Sequence, residues 1–276
     1  MRLTAYLDNG RPTMGVVIGD LVSPLTTVQG FYEDVPGWLA EAAQTEEGTR
    51  PAAELTPAIP VPETAKVVCV ALNYPMHAQE TKNELPALPN LFARWWATLV
   101  ADGEPIPVPD AEPGLDWEVE LAVVIGSPLR AVAAADAAAG ILGYTVFNDV
   151  SARTHQQATS QWANGKNADQ SGPIASAIVT ADELDPSDLR LWTQVNGEMM
   201  QDGRTSEMAI KIPELLEYAT RTITLRPGDV VATGTPAGVG FRRQPPVLMH
   251  PGDVVEVGVE GIATVRNPIV DASHRH

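Results

Sequence analysis

The stretch LDWEVELAVVIG, residues 115–126, constrains this chain more than any other. Its second half is apolar and rich in β-branched residues, which suits a buried strand, yet Glu118 and Glu120 stand two positions apart at its head. Side chains of a strand alternate between faces, so both carboxylates point one way while Trp117, Val119 and Leu121 point the other. Like charges side by side repel, and burying either one unpaired is costly. An isolated pair of this kind suits a solvent-facing strand edge; a buried pair requires a cation.

A third acidic residue bears on that choice. The run GYTVFND ends in Asp149, and if the two strands lie in one sheet, three carboxylates converge. Three hard oxygen donors suit Mg²⁺, Mn²⁺ or Ca²⁺ better than zinc, which prefers nitrogen and sulfur, and the chain holds only five His and one Cys. A dication would relieve the cost of burial and leave positions open for a chelating oxo-acid or 1,3-dicarbonyl compound, whose carbonyl it would polarise. His77 and Glu80, three residues apart on a short helical turn that Pro75 can begin, form a candidate acid–base pair, although a surface ion pair has the same spacing. His155 reads as structural.

A length of 276 residues allows one large domain, or one domain with a small N-terminal appendage. With 18 basic and 35 acidic residues the formal charge is −17, which repels nucleic acid and anionic membrane surfaces while leaving a small anion free to enter a locally cationic pocket. Cys69 stands alone, so neither an intrachain disulfide nor a CxxC motif is available. No apolar run approaches the roughly 20 residues of a membrane helix, and the N-terminus lacks a signal-peptide pattern. A cytoplasmic enzyme without a membrane or nucleic-acid partner is expected.

The periodicity is that of an α+β protein rich in strands. Residues 2–7 and 13–18 flank Asp8-Asn9-Gly10 as a hairpin, residues 34–47 read as helix, and residues 46–62 as a connector. These assignments give a small N-terminal subdomain and connector over 1–62, a main domain over 63–272 and a tail over 273–276. In the main domain, strands are expected at 66–72, 116–126, 140–149, 174–180, 189–197, 229–234, 253–259 and 261–266, and helices at 133–139, 151–162 and 212–221. Residues 81–92 and 101–114 read as loops. Strands and helices do not alternate regularly and no glycine-rich phosphate fingerprint occurs, which argues against dinucleotide and P-loop chemistry. The phrase Pro-Gly-Asp-Val-Val occurs at 227–231 and 251–255, where a type II turn would place glycine at positive φ.

Seven segments, in order, resemble the fumarylacetoacetate hydrolase family: VVCVALNYPMHAQE, LDWEVELAVVIG, GYTVFNDVSAR, QWANGK, VNGEMMQDG, LRPGDVVATGTPAGVG and PGDVVEVGVEGIATVRN. Their order over residues 64–270 is far more specific than any one of them. The resemblance implies a mixed β-roll/β-sandwich catalytic domain, usually a homodimer, with Mg²⁺ or Mn²⁺ on Glu118, Glu120 and Asp149. It makes His77 and Glu80 a water-activating dyad on a loop that can close, gives Lys166 the charge on a carbonyl or enolate oxygen, and sets Gln156 and Thr235 against a small oxo-acid. Members hydrolyse C–C bonds, decarboxylate, isomerise or dehydrate.

The chain departs from the family pattern at Lys166-Asn167-Ala168-Asp169, at Gly172-Pro173 and at Phe92-Ala93-Arg94-Trp95-Trp96, where a guanidinium replaces a lysine. Arg94 and Tyr74 are taken as further substrate contacts, with room for a bulkier substrate. The expected reaction is C–C hydrolysis of an acylpyruvate-like compound. An oxo-acid decarboxylase, an isomerase, or a non-catalytic binding protein on the same fold are the alternatives.

Overall fold

The computed structural model describes residues 1–274; residues 275–276 of the expected tail lie outside the described residues. Thirteen strands matter for the site: β1 Arg2–Asp8, β2 Arg11–Ile18, β3 Leu21–Thr27, β4 Val67–Ala71, β5 Asn90–Arg94, β6 Val119–Ile125, β7 Ile141–Asn148, β8 Ala177–Thr180, β9 Arg190–Val195, β10 Glu198–Arg204, β11 Val230–Ala232, β12 Val254–Val259 and β13 Ala263–Val270. The helices used below are α1 Val35–Gln44, α2 Pro75–Glu80, α3 Arg153–Gln157, α4 Ala163–Lys166 and α5 Ile212–Thr220.

A ten-stranded sheet runs from the two-residue strand Arg50–Pro51 through β3, β2, β1, β8, β7, β6, β11 and β4 to β5. Every pairing in it is antiparallel except β11 with β4. The N-terminal segment extends this sheet, because β1 pairs with β8 through Arg2 opposite Val179. A second sheet, β10-β9-β12-β13 with Ile106–Pro107, packs on one face.

The two faces of β6 explain how a strand at the centre of the sheet is wholly buried. Val119, Leu121, Val123 and Ile125 join Tyr144, Leu191, Val257 and Val265 in the core between the sheets. Ala122 and Val124 point oppositely, into a second core with Leu3, Phe31, Cys69 and Phe147. An antiparallel strand covered on both faces needs the near-continuous apolar run that the sequence supplies. Glu118 and Glu120 share parity with Ala122, and so point to the face of the second core.

Local chemistry sets most boundaries. Asn9 and Gly10 turn the first hairpin at φ of 50° and 78°, and Gly228 and Gly252 take φ of 86° and 100° in the two Pro-Gly turns. Asp34 caps α1 by accepting from Gly37 N–H, and Pro75 occupies the first turn of α2.

Three expectations are corrected. The helix foreseen over 151–162 shortens to α3, with α4 beginning only at Ala163, because the chain folds back until Ala152 N–H donates to Gly165 C=O, and a Cβ on Gly165 would lie 2.4 Å from Gln156 N. β5 occupies the end of a stretch read as loop, since β4 offers it an open edge. β10 was not foreseen either, although Asn196-Gly197, both at positive φ, is a hairpin signal. Among the described residues no helix is long and apolar enough to cross a membrane.

Asn73, buried just beyond β4, bonds Ile210 C=O at 3.0 Å and Thr233 C=O at 2.9 Å and accepts from Ile210 N–H at 2.9 Å. Asn73→Leu keeps the approximate volume but orphans these groups, so it should lower stability by about 3 kcal/mol. Urea unfolding checks this; a loss well below ~1 kcal/mol would contradict the assignment.

Candidate active site

The register of β6 with β7 builds the acid cluster. Phe147 lies opposite Glu120 and Asn148 opposite Val119, so Asp149 follows opposite Glu118, and its N–H donates to Glu118 C=O at 2.9 Å. Carboxylate oxygens of Glu118, Glu120 and Asp149 all lie within 4.8 Å of one another, and all three residues are buried.

Cations surround two members of this trio. Lys166 Nζ, presented by α4, is 2.8 Å from Glu118 Oε2 and 2.6 Å from Asp149 Oδ2. Arg153, from α3, reaches Glu118 Oε1 at 2.6 Å and donates through Nε to Asp116 Oδ2 at 2.8 Å. Arg94, at the end of β5, donates to Asp149 Oδ1 at 2.5 Å, to Val150 C=O and to Ser171 Oγ. Glu120 differs: it accepts from Gly234 N–H at 2.8 Å and, among the described residues, has no cationic side chain at ion-pair distance.

These environments push the two glutamates apart. Burial by itself would raise Glu118, but Lys166 and Arg153 overcome it and hold the carboxyl well below the usual range. Burial, reinforced by Asp149 and Glu118, drives Glu120 far above it. For Lys166 burial disfavours charge, but Asp149 and Glu118 outweigh it and the ammonium persists. Hard oxygen donors, mutual proximity and a carboxyl without a cation of its own fit a divalent ion bridging Glu118, Glu120 and Asp149.

A cavity of about 470 Å³ opens beside the trio, and its wall brings together His77, Glu118, Glu120, Gln156, Lys166 and Thr235. Asp149 lies just behind that wall. His77 Nδ1 is 2.8 Å from Glu80 Oε1, and Gly238 N–H donates to Glu80 Oε2 at 2.9 Å, so both ends of the carboxylate are fixed. Leu72, where β4 gives way to α2, takes φ of 57°, a strained conformation for a γ-branched residue on the cavity wall. Gln156 accepts from Arg153 at 2.8 Å, and Thr235 Oγ1 accepts from Gln201 at 2.8 Å.

Arg94 and Tyr74, expected against substrate, are not on the cavity wall. Asp149 draws the Arg94 guanidinium inward until its side chain is fully buried, and Tyr74 is 1% exposed within the core. Of the neighbouring indoles, Trp95 is exposed and Trp96 donates to Val61 C=O. Sequence reasoning missed Asp116, Arg153, Trp162, Phe241 and Arg242. Arg153 carried a signal, as a basic residue four positions after a candidate ligand, within NDVSAR.

The fumarylacetoacetate (FAA) hydrolase C-terminal family model matches residues 66–270. The chain belongs to this family, and it is an enzyme of it. It is 40% identical over 232 residues to the mitochondrial oxaloacetate tautomerase FAHD2B of Bos taurus, covering 83% of this chain and 74% of that one. Among solved structures it is similar to a 5-carboxymethyl-2-hydroxymuconate delta-isomerase from Mycobacterium smegmatis, with a TM-score of 0.79, 36% identity and coverage of 98% and 99%. It is also similar to maleylpyruvate hydrolase from Sphingobium sp. SYK-6, in complex with manganese(II) and pyruvate, with a TM-score of 0.80, 28% identity and the same coverage.

Because burial, Asp149 and Glu118 all raise Glu120, a proton competes with an ion for this carboxyl. Mn²⁺ affinity should therefore rise with pH, by up to about tenfold per unit while Glu120 is protonated. Calorimetry in buffers of different ionisation heat should detect about one proton released. A pH-independent affinity without proton release would refute this.

Proposed function

We propose that this enzyme uses a divalent ion on Glu118, Glu120 and Asp149 to move a proton at the carbon next to the keto group of a 2-oxo acid, as an oxo-acid tautomerase or isomerase. The observation that carries the reading is the His77 imidazole, tied at Nδ1 to Glu80, sharing one cavity with Glu118, Glu120 and Lys166, with Asp149 within reach of both glutamates behind its wall. Mg²⁺ or Mn²⁺ would supply Lewis-acid polarisation of the chelated oxo-acid. Glu80 fixes the ring and leaves Nε2 to take or return the carbon-bound proton. The Lys166 ammonium bonds two carboxylates and, at 3.4 Å, Asp149 C=O; it supports negative charge on the keto oxygen by exchanging one of these bonds for the substrate. Gln156, whose oxygen is occupied by Arg153, offers its NH₂ to the substrate.

The similarity to a tautomerase and an isomerase at 40% and 36% identity supports proton transfer ahead of the C–C hydrolysis expected from the sequence. Hydrolysis stands second, supported by the likeness to a maleylpyruvate hydrolase and by a dyad that can equally deprotonate water. With enolic oxaloacetate in deuterated water, the first reading expects metal-dependent ketonisation with deuterium at C3. With acylpyruvates in ¹⁸O-water, hydrolysis would place label in the new carboxylate. His77→Ala should cut kcat by about 10²–10⁴-fold and leave Mn²⁺ affinity within about twofold; unchanged turnover would refute the role of His77.

A further inference from the structure

We propose that Arg242 is a specificity-determining residue that binds a second carboxylate on the substrate, restricting the enzyme to 2-oxo acids with an anionic tail; this rests on the oxo-acid reading above. Among the described residues, three arginine or lysine side chains line the cavity: Arg153, Lys166 and Arg242. Arg153 is engaged by Asp116 and Glu118, and Lys166 by Glu118 and Asp149. Arg242 has no acidic partner at ion-pair distance among the described residues. Its Nη2 donates to Thr81 C=O at 2.9 Å, and its guanidinium carbon lies 4.6 Å from the centroid of the Phe241 ring.

These two contacts aim the guanidinium without neutralising it. Of its five N–H donors, one serves Thr81, so a two-pronged edge remains for an oxyanion. The carbonyl that holds it belongs to the residue immediately after α2, so the same bond ties Arg242 to the helix carrying His77. Asn83, Gln157 and Thr159, which line the cavity as well, are polar but uncharged and do not compete for it. The acid trio, once loaded with a dication, takes the oxo-acid head, while Arg242 offers a separate cationic point on the same wall. A ligand with carboxylates at both ends satisfies both; a monoacid with an alkyl tail leaves the guanidinium with water.

The test is calorimetric binding to Mn²⁺-loaded protein of 2-oxoglutarate and 2-oxopentanoate, which share a chelating head and differ in the terminal carboxylate. Wild-type protein should prefer 2-oxoglutarate by about ten- to a hundredfold. Arg242→Gln should reduce the preference to near unity, and Arg242→Lys should retain part of it. Loss of the Thr81 bond would weaken both ligands alike, so the ratio isolates recognition of the tail. Equal wild-type affinities, or a preference that survives Arg242→Gln, would overturn the role of Arg242 and leave the oxo-acid reading intact. Failure of both ligands to bind would overturn the oxo-acid reading and this inference with it.

Discussion

The structure depends on compensating four buried carboxylates at the end of two neighbouring strands. Asp116, Glu118, Glu120 and Asp149 are confronted by Arg94, Arg153 and Lys166, all within the protein interior. Each cation comes from a different segment: the end of β5, α3 and α4. Charge compensation therefore fixes where three otherwise separate pieces of chain must sit. Buried ion pairs contribute little net stability once desolvation is counted, but removing one partner strands the other at a cost of about 3–5 kcal/mol. The cluster is best understood as a positioning device whose members tolerate little displacement.

A second link joins this cluster to the acid–base pair. Asp116 accepts from Gly240 N–H at 2.7 Å and Phe241 N–H at 3.2 Å, while Glu80 accepts from Gly238 N–H. One segment, residues 238–241, thus registers the His77–Glu80 pair against the acid cluster. Glycine is required there for steric reasons: Gly238 takes φ of 111° and a Cβ would meet Met200 O at 2.5 Å, while a Cβ on Gly240 would meet Val247 O at 2.0 Å. The phrase GTPAGVG is accordingly a spacer whose small residues let the backbone approach the carboxylates, rather than a source of functional side chains beyond Thr235.

How far the site was legible follows from the range of the interactions that make it. The facing of Glu118 and Glu120 is a property of one strand, and the i,i+3 approach of His77 to Glu80 is a property of one helical turn; both can be read locally. Convergence with Asp149 required only that two apolar strands be neighbours. Arg94 defeated the same reasoning because its direction is decided by a carboxylate 55 residues away, not by the aromatic residues beside it. The shortening of the 151–162 helix to α3 had the same origin, since it rests on the close seating of Gly165 against Gln156, which joins two segments. For Arg153 and Arg242, the sequence supplied charge and no information on which acids were already committed to other cations.

Among the described residues no cation is dedicated to Glu120, and this suits the cluster to a divalent ion. A fourth lysine or arginine here would saturate the carboxylates, hold Glu120 ionised and oppose a metal by direct charge repulsion. Instead four acids face three bases, and the carboxyl left without a cation is Glu120, where burial and like charge favour the neutral form. A divalent ion held there would leave four ionised acids against three bases and two metal charges, a cluster net positive by one. Replacing a proton on Glu120 by such an ion would thus add positive charge to the site and favour an anionic ligand, inside a chain whose overall charge is −17. Loading with metal and affinity for an acidic substrate would then be coupled through one carboxylate.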